Sequence, residues 1–203
     1  SVDDIVISAG STTGTVSFTP TDDSIYDATS NETATIAING VSGKTGVAEH
    51  GTPQTVTITI TDNESAPTVT LSRSASAIDE DSGSTVTITA TLSVATFQDV
   101  TVSIDGTGGT GTEGTDFGTV SDITISAGDT TGTASVDPTD DSVYEDDETA
   151  GISISGVSGG GASESGSQSV TVTITDDESA PTVTLTVSDT SIAENAGSSL
   201  TLT

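Results

Sequence analysis

Three stretches of the chain alternate β-branched apolar residues with threonine or serine: "TVTITIT" (55–61), "STVTITATL" (84–92) and "SVTVTITD" (169–176). A period of two places one set of side chains on a buried face and the other in solvent, so each stretch predicts a half-buried β-strand. Threonine suits the outer face of a strand and takes the place usually held by lysine and glutamate. The same reading predicts seven strands: A at 68–78, B at 84–93, C at 99–105, D at 119–126, E at 131–138, F at 149–156 and G at 169–175. No stretch carries a helical period.

Comparing the chain with itself shows why the strands recur. "DIVISAG" (4–10) returns as "DITISAG" (122–128), and "PTDDSIYD" (20–27) returns as "PTDDSVYE" (138–145). "TITDNESAPTVTL" (59–71) returns as "TITDDESAPTVTL" (173–185), and "IDEDSGS" (78–84) as "IAENAGS" (192–198). The offset is 118 residues at first, 116 after "ATSNET", and 114 beyond "GKTGVAEHG". Length changes confined to loops are what a repeated domain tolerates. The expected organisation is therefore a complete unit over 66–179, the later part of a preceding unit over 1–65, and the first strands of a following unit over 180–203. Seven short strands without helices predict an all-β fold, an antiparallel seven-stranded β-sandwich in tandem copies.

Composition adjusts this picture at two points. Hydrophobic residues make up 31% of the 203 and aromatics 2%. Composition alone would suggest disorder, and the alternation argues against it. There is no cysteine, so neither a disulfide nor a thiolate metal site is available. No window holds the roughly 18 consecutive apolar residues of a membrane span, and direct membrane insertion is not expected. The chain has neither an initiator methionine nor a signal-like start, and reads as an internal piece of something longer.

Charge changes the picture most. Asp and Glu number 31 against 2 Lys and Arg, a formal charge of −29. Such a chain repels nucleic acid and anionic lipid, which need positive protein surface. It suits multivalent cations and an extracellular or cell-surface setting. In "PTDDSVYEDDETA" (138–150) the carboxylates are Asp140, Asp141, Glu145, Asp146, Asp147 and Glu148. With antiparallel strands, the A–B, C–D and E–F connections and the exit from G share one end of the sandwich. That end then collects this loop together with Asp79, Glu80, Asp81, Glu113, Asp116, Asp176, Asp177 and Glu178, while the opposite end is nearly free of acid. Like charges a few ångströms apart cost several kcal/mol even at moderate dielectric, so the cluster is expected to hold cations. Calcium, a hard ion that accepts irregular oxygen cages, fits best. Zinc or copper would call for His or Cys, and the one histidine, His50, lies in a loop outside the acidic end and reads as a surface residue.

Three motifs resemble the Calx-β family, the domain of sodium–calcium exchangers and many large bacterial surface proteins: "GTEGTDF" (111–117), "DDSVYEDDE" (140–148) and "TITDDE" (173–178). The resemblance implies a β-sandwich and calcium ligands at Glu80, Asp116, Asp140, Asp141, Glu145, Glu148, Asp176, Asp177 and Glu178. Val143 matches a position that offers its backbone carbonyl. Ser142 stands where some members have a third Asp, which implies a weaker ion. In the preceding unit the counterparts are Asp22, Asp23, Asp27, Glu32, Asp62 and Glu64, with Asn63 in place of an Asp, implying fewer or weaker ions. In the third segment only Glu194 remains. Asp146 and Asp147 read as solvated bystanders.

Other chemistries fit poorly. "DDSVYEDDE" lacks the spacing of an EF-hand, and "GTGGTGTEGTD" occurs once, too few copies to stack as a calcium β-roll. Without Cys a Cys–His pair is unavailable, and no Ser–His–Asp arrangement is read around the one histidine, His50. A glycosidase carboxylate pair would need an aromatic-lined cleft, against a supply of Phe18, Phe97, Phe117, Tyr26 and Tyr144. The two tyrosines recur at one repeat position and are expected to pack beneath the acidic loop. "NET" (31–33) and "NES" (63–65) fit the glycosylation triplet. The function expected is a non-enzymatic, calcium-binding structural repeat of a large extracellular protein, in an adhesin stalk or filament, with calcium stiffening the joints. Its partners would be calcium, neighbouring repeats and identical subunits in a filament, the last by strand addition. The alternatives are a regulatory calcium sensor in a membrane protein, or an accessory module of a secreted carbohydrate-active or proteolytic enzyme.

Overall fold

Val86, Ile88, Ala90 and Leu92 all point into the core, each 3% exposed or less, while the threonines between them are half-buried. This is the period-two pattern converted directly into a strand with one dry face. The computed structural model describes residues 2–27, 32–51, 53–194, 197 and 199–203. In chain order the strands are β1 (Ile25–Tyr26), β2 (Glu32–Ala37), β3 (Thr55–Ile60), β4 (Thr68–Arg73), β5 (Ala77–Asp79), β6 (Val86–Leu92), β7 (Ala95–Thr96), β8 (Val100–Asp105), β9 (Ile123–Ile125), β10 (Thr131–Val136), β11 (Glu148–Ser158), β12 (Ser163–Glu164) and β13 (Ser169–Thr175). A 3-10 turn, Glu80–Ser82, follows β5.

Two sheets make the sandwich. One has the order β10-β6-β4-β12 and the other β5-β13-β11-β8-β9. Their inner faces share one apolar cluster, with Val69, Ile88 and Val136 from the first sheet and Val102, Ile123, Ile152 and Val172 from the second. The all-β sandwich is as expected. Its sheets are mixed, however, because β5 runs parallel to β13 and β12 parallel to β4. The cause is a division of expected strand A. It breaks at Ser74–Ser76, so that β4 pairs antiparallel with β6 in one sheet while β5 crosses to the other. The count of seven becomes more and shorter strands.

Expected strand D, 119–126, is reduced to β9. Ahead of it the Asp122 carboxylate accepts hydrogen bonds from Ser103 Oγ at 3.1 Å and from the Ile104 N–H at 3.0 Å. The side chain thus takes a ladder donor that a longer strand would have used. Strand F is longer than expected, and a bulge between Ile154 and Gly156 lets β11 pair with β8 as well as β13.

The glycine-rich segment lies against the backbone of β11. Gly108 N–H donates to Gly151 O at 3.1 Å and Gly111 N–H to Thr149 O at 3.0 Å. A Cβ on Gly151 would fall 1.1 Å from Gly108 O, and one on Gly109 would fall 2.0 Å from Thr149 O. Only glycine permits that approach. It brings Phe117 to a fully buried position and Asp116 to the end of the sheet.

Outside 66–179, β2 and β3 form an antiparallel pair of their own and β1 pairs parallel with β7. Val183 and Leu185, which repeat Val69 and Leu71, are 97% and 78% exposed.

Candidate metal centre

The acidic loops converge on two groups of carboxylates. Glu80, Asp140, Asp177 and Glu178 each bring an oxygen within 4.8 Å of the others, and so do Asp116, Glu145 and Glu148. The first group is assembled from the 3-10 turn, the β10–β11 loop and the exit of β13. The second comes from the glycine-rich segment and the far side of the β10–β11 loop. Two oxygens on a single calcium, each about 2.4 Å from it, can lie no more than about 5 Å apart. Both groups meet that limit.

Short local bonds set the geometry. Thr112 N–H donates to Asp116 Oδ2 at 2.6 Å, and Asp116 N–H donates back to Thr112 O at 3.0 Å. Val143 N–H donates to Asp141 Oδ1 at 2.7 Å. Glu145 N–H donates to Asp176 Oδ1 at 3.1 Å, tying the loop to the end of β13. Lost hydration, followed by the charges of Asp141, Asp116 and Asp176, raises Glu145. Asp81, from the 3-10 turn, acts likewise on Asp177.

Electrostatics show the strain of so much like charge. Lost hydration, then the facing Glu178 and the charges of Asp176 and Asp177, push Glu80 up to about 7. Glu178 is raised by lost hydration and by Asp177. Lost hydration followed by Asp116 and Glu145 raises Glu148, and lost hydration followed by Asp81 and Asp140 raises Asp177. Glu80 Oε1 and Glu178 Oε2 are withdrawn from solvent with no hydrogen-bond partner. Buried acceptor oxygens ordinarily meet a donor, a water or a cation.

Of the residues singled out from sequence, seven fall in the two groups, while Asp141 and Asp176 fall in neither and accept from the Val143 and Glu145 N–H groups. The Val143 side chain is 58% exposed. Asp146 and Asp147 are exposed and in neither group. Glu113 serves structure, its Oε1 accepting from Val120 N–H at 2.7 Å. Tyr144 is 45% exposed, not packed beneath the loop as expected. His50 is exposed, as anticipated.

In the preceding segment Asp22, Asp23, Asp27, Glu32, Asp62 and Glu64 line one pocket of about 130 Å³. Among the described residues they form no group as close as the other two. Asn63 explains part of this: its amide nitrogen, turned to the acids, reaches Glu64 Oε2 at 3.0 Å and Asp22 Oδ1 at 3.3 Å. A donor thus stands at the position of "TITDNE" that Asp177 holds in "TITDDE". The shared hydrogen bond between Asp62 and Glu64 lowers the first and raises the second. Asn31, of the first glycosylation triplet, lies outside the described residues. Glu194 is described, and falls in neither group.

The family model of the LapA domain matches residues 65–177, more than half of the chain. The chain belongs to the LapA domain family. The LapA match spans every carboxylate of the two groups except Glu178, which follows it by one residue. Among solved structures, the LapA chain is similar to the apo-form Calx CBD1 domain, at 22% identity over 54% of this chain and 98% of that one, with a TM-score of 0.45. It is similar to CBD12 from CALX1.2 at 23% identity, over 53% of this chain and 45% of that one, also with a TM-score of 0.45. No curated protein matches it. Among the described residues no helix is long and apolar enough to cross a membrane.

Proposed function

We propose that this LapA-domain chain is a calcium-binding, non-enzymatic structural repeat of a large extracellular or cell-surface protein, serving in an adhesin stalk or filament. The observation that carries the proposal is the pair of unpartnered, solvent-withdrawn oxygens, Glu80 Oε1 and Glu178 Oε2, inside a group of four converging carboxylates. The donor set is all oxygen, the chemistry of a hard ion. Glu80, Asp140, Asp177 and Glu178 would hold one ion, and Asp116, Glu145 and Glu148 another. Asp141 and Asp176 position the loop through the N–H groups of Val143 and Glu145. Bound calcium supplies divalent positive charge at the acidic end.

Residues 66–179 are one whole unit in this reading, and 1–65 and 180–203 are parts of neighbouring ones. The preceding unit, with Asn63 as an internal donor, holds fewer or weaker ions. Calcium offsets the repulsion, orders the β10–β11 loop and stabilises the folded state by mass action. The resulting rod stiffens at its joints, where Asp176 to Glu178 lead within three residues to Pro181.

Calorimetric titration with calcium tests the assignment. Asp140→Asn is expected to weaken binding at least tenfold, while Asp146→Asn stays within about twofold of the parent. Equal affinities for the two variants, or no calcium-dependent heat, contradict it.

A further inference from the structure

The dipeptide Ile25–Tyr26 pairs parallel with Ala95–Thr96, Ile25 in register with Ala95 and Tyr26 with Thr96. Both members of the first dipeptide are half-buried. The receiving edge is firmly held. Thr96 is 1% exposed, its Oγ1 donates to Gln98 O at 2.6 Å, and its carbonyl accepts from Gly128 N–H at 2.8 Å. It lies at the end of the sandwich opposite the acidic loops, next to the β9–β10 and β11–β12 turns.

The loop that presents Ile25–Tyr26 is built twice in the chain, bond for bond. Asp23 Oδ1 accepts from Ile25 N–H at 2.9 Å, as Asp141 Oδ1 does from Val143 N–H at 2.7 Å. Asp27 N–H donates to Asp62 Oδ2 at 3.2 Å, as Glu145 N–H does to Asp176 Oδ1 at 3.1 Å. The loop residues are equivalent positions of "PTDDSIYD" and "PTDDSVYE", and Asp62 and Asp176 are equivalent positions of "TITDNE" and "TITDDE". In the second copy the apolar pair is more open: Val143 is 58% exposed and Tyr144 45%, where Ile25 and Tyr26 are half-buried. An aliphatic and an aromatic side chain thus stand side by side, exposed, in a strongly acidic loop, at the positions through which the first copy makes its contact.

We propose that Val143–Tyr144 is the docking element for a following copy of the unit, which it engages at the segment corresponding to Ala95–Thr96, by parallel backbone pairing and apolar contact. That segment is not among residues 180–203, which repeat 66–89. The inference rests on the repeat reading above and deepens it. Asp141 and Glu145 bracket the docking pair, so the loop that faces the ions on one side grips the next unit on the other. Ordering of the loop by calcium then transmits to the joint without any ion bridging two units.

The chain contains no cysteine, so single thiols report burial cleanly. The test uses the full chain and the full chain lengthened after Thr203 by a copy of its own residues 90–179, which completes a third unit. In the 203-residue chain, the Tyr144→Cys thiol is expected to be alkylated at least tenfold faster than the Tyr26→Cys thiol. In the lengthened chain it should slow to the Tyr26→Cys rate. If far-UV dichroism shows that the added unit folds and Tyr144→Cys still reacts at its original rate, the docking proposal is overturned and the repeat reading stands. If the added residues do not fold, the repeat reading falls and the docking proposal with it.

Discussion

Glu80 and Glu178 meet at the acidic end of the sandwich, each bringing a carboxylate oxygen to the same 4.8 Å group and each with one oxygen, Oε1 of Glu80 and Oε2 of Glu178, withdrawn from solvent. They come from opposite ends of the unit. Glu80 opens the 3-10 turn after β5, and Glu178 leaves β13. What holds them together is the parallel pairing of β5 with β13, which registers Ile78 with Ile174 and Asp79 with Thr175.

Glu80→Gln separates the two consequences of this contact. It removes one charge from the group while keeping the shape and one acceptor oxygen. In chelator its thermal midpoint is expected to rise by a few degrees, because repulsion with Glu178, Asp176 and Asp177 is relieved. In calcium its midpoint should fall below that of the parent, as a ligand is weakened. Thermal unfolding in both buffers checks the crossing, and a variant that moves in the same direction in both contradicts a shared cation site.

The metal-free chain should also lose stability as pH rises through neutrality. The folded value of Glu80, about 7, lies above its ordinary 4.5, so the fold holds that proton more tightly than the unfolded chain. The stability linked to the proton is complete below about pH 4.5 and is lost as pH rises through about 7. Glu145, Glu148, Asp177 and Glu178 are raised as well and act with the same sign. Thermal midpoints in chelator are therefore expected to fall from pH 5 to pH 7.5. A flat or rising profile over that window contradicts the account.

Gly151→Ala probes the scaffold. The new Cβ would overlap Gly108 O, forcing the glycine-rich segment off β11. A loss of about 3 kcal/mol or more is expected in urea unfolding, at the upper end of overpacking costs. Asp116 rides on that segment, so calcium affinity should fall too. Loss of stability with unchanged affinity would mean that the segment does not position the second group.

Much of this arrangement is legible in sequence. β6 and β13 follow from alternation alone, since their inward residues recur at every second position and reach the core, as with Ile88 and Val172. The acidic end follows from the parity of connections. The division of strand A does not, because Ser74–Ser76 looks no different from strand sequence and the partner of β5 lies some 96 residues away, at Thr173 to Thr175. Nor does the sorting of ligands into two groups, which depends on the side-chain bonds of Asp141 and Asp176. The exposure of Tyr144 runs against the packing role its recurrence suggested. A repeated apolar–aromatic pair beside charge was the one available sign of the contact that Ile25–Tyr26 makes.

The central claim is that the acidic end makes folding depend on calcium, and the thermal midpoint of the full chain in calcium and in chelator tests it most directly. Calcium at a hundred times its dissociation constant adds about 2.7 kcal/mol per site. For a domain of this size that corresponds to a rise of roughly 8 °C or more, and the account predicts at least that difference. Equal midpoints in the two buffers would contradict it.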